Sequence, residues 1–282
     1  MQSKMHVPYL FLTPALVLFS VFMIYPVIYS LFLSFQSSVQ GEMVFVGLQN
    51  YEKLLSDTIF LKAVTNTFII LVIQVPMMLF IAIVLANALN SVKRFKALFR
   101  VSFFMPAVTS LVAYSIIFSI MLMGDGLLNQ IIVATGLDAV PWLSHPWWAK
   151  MALILAMTWR WIGYNMIIYL AAIQNIDEAL YEAASIDGAA KIKQFFYITI
   201  PQLKPVILFT AVLSTIGTLQ LFDEPYTLTK GGPSDATLTL GMYIYQTGFR
   251  YYDFGYASTI AYVTVIAIGI LTYIQFKVTG DE

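Results

Sequence analysis

Six times along this chain of 282 residues, an apolar run reaches the roughly 20 residues that an α-helix needs to cross a hydrocarbon layer about 30 Å thick. The runs lie near 8–35, 64–89, 97–123, 147–174, 206–223 and 254–276. A chain with that pattern has few choices. Its backbone groups must bond within each segment, so the expected fold is all-α, a polytopic membrane protein of six transmembrane helices. Composition agrees: 60% of residues are hydrophobic and 11% charged, with a mean hydropathy of +0.80. The first run is too long for a cleavable signal and has no small-residue cleavage site after it, so it reads as a membrane helix. Pro14 and Pro26, Pro76 and Pro106 punctuate the first three runs, which membrane helices tolerate as kinks.

Lysine and arginine orient the set. Lys4, Lys93, Arg94, Lys96, Arg100, Lys191, Lys193, Lys204 and Lys277 fall on one side. Lys53, Lys62, Lys150, Lys230 and Arg250 are spread over longer loops on the other. Four cations in the short loop 90–100 make that side cytoplasmic, together with both termini. The outer loops are 36–63, 124–146, where Leu127 to Val133 suits the interface, and 224–253, where Thr237 to Phe249 suits a surface helix. No repeat or linker divides the chain, which reads as one membrane domain, 1–282.

Several chemistries are excluded. With no cysteine there is no thiol catalysis, disulfide or Cys-ligated metal. His6 and His145 stand at opposite ends of spans, which disfavours a histidine metal site or triad. A net charge of +0 gives nucleic acid no footing. No G-x-x-x-x-G-K-[ST] loop, H-E-x-x-H, G-x-S-x-G or dinucleotide fingerprint occurs, so no cofactor is expected. Energy for any driven process must come from a partner or an ion gradient.

Polar residues within the spans mark the candidate path. Arg160 falls mid-span, at a cost of about 2.5–3.5 kcal/mol on insertion scales, so it should face a wet cavity or pair with Asp223 or Glu224. Asn165 lies about 140° further round the helix. Tyr164 shares a face with Arg160 and Asn165 one with Trp161, so only one pair should face the path squarely. Thr210, Ser214, Gly217, Gln220 or Leu221, and Glu224 form a stripe of small and polar residues that suits close helix packing. Gln220 is the exception, because its amide needs partners that lipid does not supply. Thr259, Tyr262 and Ile266 make a further face with one phenol. Tyr164, Asn165, Gln220 and Tyr262, with Arg160, are the residues expected to touch a solute. Aromatic rings beside amides suit a polyhydroxylated one, and aromatic rings also serve as plain interface anchors.

One long polar segment remains, Glu182 to Pro201, reading EAASIDGAAKIKQFFYITIP. Its early residues favour a short helix, Asp187-Gly188 a turn, and Ala189 to Ile200 a second helix stopping at Pro201. The spacing of Glu182-Ala183-Ala184, Gly188, Ile198 and Ile200-Pro201 resembles the EAA loop of membrane subunits of binding-protein-dependent ABC importers, with Ile200 where leucine is usual. Leu170-Ala171-Ala172-Ile173-Gln174, Asp187-Gly188-Ala189 and Gly47-Leu48-Gln49-Asn50-Tyr51 resemble the carbohydrate-uptake branch. Thr229-Lys230-Gly231-Gly232-Pro233 and Phe254-Gly255-Tyr256-Ala257-Ser258 resemble its first permease subunit, of the maltose F-type or glycerol-phosphate A-type.

That resemblance, running from Tyr9 to about Phe276, implies the type I ABC importer permease fold in a bacterial inner membrane. It implies a second homologous permease, two ATPase subunits that use the ATP and magnesium, an extracytoplasmic solute-binding protein and a sugar-like substrate. Within the loop 178–205, Glu182, Ala183, Ala184, Asp187 and Gly188 would form the cytoplasmic coupling helix seated on an ATPase subunit. The chain itself would be no enzyme. Glycerol phosphate or another non-sugar solute is the alternative substrate. A secondary carrier would show acidic or histidine relays or inverted repeats in the spans, and an intramembrane enzyme a nucleophile–base or metal constellation. The spans show neither.

Overall fold

A computed structural model describes residues 7–39, 42–92 and 94–280, which leaves Lys4, His6 and Lys93 outside the described residues. It divides into two compact units, Met1–Thr58 with Tyr243–Ile266, and Ile59–Met242 with Ala267–Glu282.

The first unit opens with α1 (Val7–Phe19), a π-helical turn at Ser20–Ile24, and α2 (Tyr25–Leu33), exposed along nearly its whole length. An antiparallel hairpin follows, β1 (Gln36–Val39) and β2 (Glu42–Phe45), with Gln36 opposite Phe45 and Val39 opposite Glu42. The expectation of an all-helical chain is corrected there. Four residues on each side are too few to outweigh a helical pattern, and the strand is pinned from outside. The Asn50 amide of α3 (Gln49–Ser56) donates to the carbonyls of Ser34 and Gln36, at 3.0 and 2.8 Å. Asp57 closes the unit by accepting from the phenols of Tyr243 and Tyr256, both at 2.6 Å. Burial, then the bond to that carboxylate, raises the Tyr243 pKa, so its phenol stays a donor.

The second unit holds most of the long helices. α4 (Thr58–Ser91) runs 34 residues straight through Pro76. α5 (Lys96–Val108) and α6 (Leu111–Met121) meet at 97°, so the third apolar run is bent sharply, as a broken span or a re-entrant loop is. Pro106 deprives its helix of one bond, and Thr109 and Ser110 then turn extended, with ψ of 143° and 131°. α7 (Leu127–Ala134) is short, and its loop is tied by Asn129, whose amide reaches the carbonyls of Met123, Gly124 and Val140. α8 (Pro146–Ile173) starts at His145, whose ring nitrogen accepts from the Trp147 amide. Capping is thus the histidine's structural task.

α9 (Glu178–Ile186) and α10 (Lys191–Gln194) form the polar loop. A π-helical turn, Phe195–Thr199, joins α10 to α11 (Ile200–Leu219), giving one apolar helix over Lys191–Leu219. The expected stop at Pro201 is therefore corrected. The wider turn ahead of it places the ring at the start of a new α-helical register, where a missing N–H costs little. α12 (Leu240–Tyr245) is no surface helix either: Thr237, Leu238, Thr239, Leu240 and Met242 are buried. The Asn66 amide and Thr67 hydroxyl of α4 bind the backbone of that stretch, at Asp235, Leu238 and Leu240. α13 (Phe254–Gly280) ends the described chain. Among the described residues, five helices are long and apolar enough to cross a membrane, and six crossings result if the bent pair is one.

The core of this unit packs Leu71, Val75, Met78 and Leu79 of α4 against Met166, Tyr169 and Leu170 of α8. Its closest approach is at Gly163. A Cβ there would run into the Phe103 carbonyl of α5.

Candidate functional site: a polar cavity and an exposed loop

α8 and α11 diverge around a cavity of about 560 Å³, inside the second unit. α8 contributes Met157, Arg160, Trp161, Tyr164, Asn165 and Ile168, a stripe at spacings of three and four. α11 and the segment after it contribute Thr210, Ser214, Gly217, Gln220, Asp223 and Glu224, and α4 adds Gln74 and Met78. Both Arg160–Tyr164 and Trp161–Asn165 line the cavity, because a stripe two residues wide tolerates 140° when its side chains are long. The small-residue stripe of α11 is closely packed at Thr210, which is buried and hydrogen-bonded to Tyr169, and open at Gly217, where nothing beyond its own helix lies within 4 Å of an added Cβ.

The polar groups differ in how they are held. Asn165 is buried, its amide donating to the Trp161 carbonyl at 3.1 Å. Tyr164 and Gln220 line the cavity and are exposed. Gln220 stands where α11 ends, so its side chain is freed from the helical stripe. Arg160 meets Glu224, as one of the two expected partners, with Nε 4.0 Å from Oε1. Its guanidinium lies over the rings of Tyr114, at 5.0 Å, and Trp161, at 5.7 Å. Tyr114 is a contributor that the sequence hides, since it sits on α6 beyond the break. Tyr262 belongs to the first unit, where its phenol donates to the Val27 carbonyl and accepts from Ser30. Among the described residues no group of His, Asp or Glu could hold a metal.

The loop is the second feature. The Asp177 carboxylate caps α9 by accepting from the Ala179 amide at 3.0 Å. At the far end Gly188 has φ +76, while Ala189 donates to the Ala184 carbonyl at 2.8 Å and Gly188 to that of Ser185 at 3.1 Å. Those two bonds close the helix with a left-handed residue that only glycine adopts without strain. Two side-chain bridges missing from the sequence reading brace the loop. Gln194 donates to Ser185 and to the Ala189 carbonyl, and Tyr181 bonds Thr199 at 2.9 Å. Glu182, Ala183, Asp187 and Gly188 are exposed and Ala184 half-buried, with Ile186 bare at 87%.

Apolar helices around a cavity edged by a few polar side chains, with a capped and exposed helix in the same unit, describe a membrane permease. The family of binding-protein-dependent transport system inner membrane components matches residues 59–279, and this chain belongs to it. Members are permease subunits, with ATP hydrolysis in a separate subunit. The lactose transport system permease protein LacF of Rhizobium radiobacter is 50% identical over 97% of this chain and 94% of its own. The arabinooligosaccharides transport system permease protein AraP of Halalkalibacterium halodurans is 36% identical, covering 99% and 89%. The fold matches the crystal structure of a bacterial ABC transporter involved in the import of the acidic polysaccharide alginate, with a TM-score of 0.83, 23% identity, and coverage of 97% of this chain and 94% of that one. The chain is thus a multi-pass inner-membrane protein.

Proposed function

We propose that this chain is one permease subunit of an ATP-driven importer for a sugar or related polyhydroxylated solute. It pairs with a second homologous permease, two ATPase subunits and an extracytoplasmic solute-binding protein. The whole chain acts as one permease domain with six crossings, the third of them broken, and both termini cytoplasmic. No cofactor belongs to this chain. The observation that carries the substrate class is the cavity, where exposed Tyr164 and Gln220 stand beside the buried Asn165 amide. Flat rings with directed donors and acceptors match a sugar's apolar faces and hydroxyls. Relatives named for lactose and arabinooligosaccharides support it.

We assign the path to Tyr164, Asn165, Gln220 and Arg160 of the second unit, and keep Tyr262 of the first unit, expected from the sequence, as a further candidate. Coupling falls to Glu182, Ala183, Ala184, Asp187 and Gly188. Closure of the ATPase pair on ATP would move the α9 helices together and rock the spans outward.

Lactose uptake into proteoliposomes holding the complete importer tests this reading. Uptake is expected to need ATP and the binding protein, and to survive a protonophore. Alanine at Asn165 or Gln220 is expected to lower it about tenfold, the loss of about 1.4 kcal/mol that one or two hydrogen bonds supply. Uptake driven by a proton gradient without ATP contradicts the proposal, as do unchanged kinetics at all five path positions.

A further inference from the structure

The charged pair in the cavity is incompletely bonded. Arg160 and Glu224 are both buried, with side chains 11% and 6% exposed. Their 4.0 Å separation neutralises charge but is too long for a hydrogen bond. The guanidinium Nε and one terminal nitrogen are buried without any partner among the described residues. Two such donors are costly, and a buried ion pair of this geometry adds little stability. The flat faces of the guanidinium are already taken up by Tyr114 and Trp161. Glu224 Oε1 in turn accepts from the Trp161 indole at 3.4 Å. The arrangement sets a guanidinium short of hydrogen bonds and a carboxylate acceptor side by side in the cavity lining, against an aromatic wall.

Resting on the importer reading, we infer that Arg160 and Glu224 together form a hydroxyl-recognition fork that selects an uncharged sugar. One sugar oxygen accepts from Arg160, and a neighbouring hydroxyl donates to Glu224, which satisfies the guanidinium without disturbing the charge pair. The charge of the wall points the same way. Among the described lining residues Arg160 is the cation and Asp223 and Glu224 are the acids, so the wall offers no surplus positive charge. A phosphate ester or a uronate entering such a wall meets the Glu224 carboxyl beside the guanidinium and finds no free cation to hold it. The fork therefore separates sugars from the glycerol phosphate class.

The test uses the assembled complex of both permeases and the ATPase pair in nanodiscs, without binding protein, and equilibrium binding of radiolabelled lactose and digalacturonate. The native complex is expected to bind lactose at least tenfold more tightly than digalacturonate. Arg160→Lys keeps the charge but not the fork, and is expected to weaken lactose binding about tenfold. Glu224→Gln leaves the cation uncompensated and is expected to reverse the preference toward digalacturonate. Assembly of each variant is checked by co-purification. Where Glu224→Gln does not assemble, Glu224→Asp replaces it, with lactose binding lost and no digalacturonate gained. A native preference for digalacturonate, binding of neither probe, or variants that shift both probes equally overturns the inference. ATP-dependent lactose uptake by the native importer is read separately, so the fork can fail while the importer reading stands.

Discussion

Replacing Gly188 by tryptophan is expected to lower uptake by the assembled importer far more than tenfold, whereas alanine lowers it only a few-fold. The two substitutions share one cost. Either side chain must adopt the left-handed conformation at φ +76, which disfavours an L-residue by about 1–2 kcal/mol. Within this chain the position is open, since nothing beyond its two neighbours lies within 4 Å of a Cβ built at Gly188. A difference between them therefore points to something outside the chain that occupies the space. A cleft of an ATPase subunit is that something in the account given above. The measurements are uptake and ATPase activity stimulated by the loaded binding protein, with membrane level as control. Equal effects of alanine and tryptophan would leave Gly188 as a helix terminator and nothing more.

Gly163→Leu is expected to abolish uptake and lower the amount of protein in the membrane several-fold. Here the obstacle lies inside the chain. An added Cβ meets the backbone carbonyl of Phe103, which cannot rotate aside as a side chain would. α8 must then separate from α5, and overpacking of this kind costs about 1–3 kcal/mol or more. The site sits one turn from Arg160 and beside Tyr164, so the displacement also moves the cavity wall. Small residues let membrane helices approach closely, and packing there replaces the hydrophobic drive available in water. Gly163→Ala should show a milder form of both effects. Native levels and native uptake in Gly163→Leu would show that α5 and α8 do not depend on this contact.

The apolar runs made the long helices legible, because in lipid a helix of sufficient length is nearly the only solution. The break at Thr109–Ser110 was not legible. The run stays apolar through it, and Pro106 signals a kink without its angle. The hairpin at Gln36–Phe45 was equally hidden, since its register rests on Asn50, a side chain 14 residues past Gln36. For the cavity, the sequence named Arg160 and Gln220 by their cost in lipid, placed Asn165 by its angle round the helix from Arg160, and named Glu224 as a partner. It could not supply Tyr114, which packs over Arg160 only because the bend brings α6 alongside α8. Nor could periodicity reveal that the α11 stripe is packed at Thr210 and open at Gly217, as a gap and a tight contact favour the same small residues. In the loop, a short helix former and the Asp187-Gly188 turn signal pointed to α9 and its end, and the resemblance to the EAA loop to their role. The braces from Gln194 and Tyr181 needed the fold, because each crosses the turn that the glycine makes.

If α9 bears on an ATP-hydrolysing partner, as proposed, Ile186 is the residue at which the contact should be seen. The chain has no native cysteine, so Ile186→Cys labelled with benzophenone is a single reporter on a residue 87% exposed. Illumination of the assembled importer in inverted membrane vesicles should yield one covalent adduct with the ATPase subunit, in an amount that changes with ATP. An adduct with lipid alone, or labelling of this cysteine by a membrane-impermeant thiol reagent from the outer face of intact cells, would contradict the account.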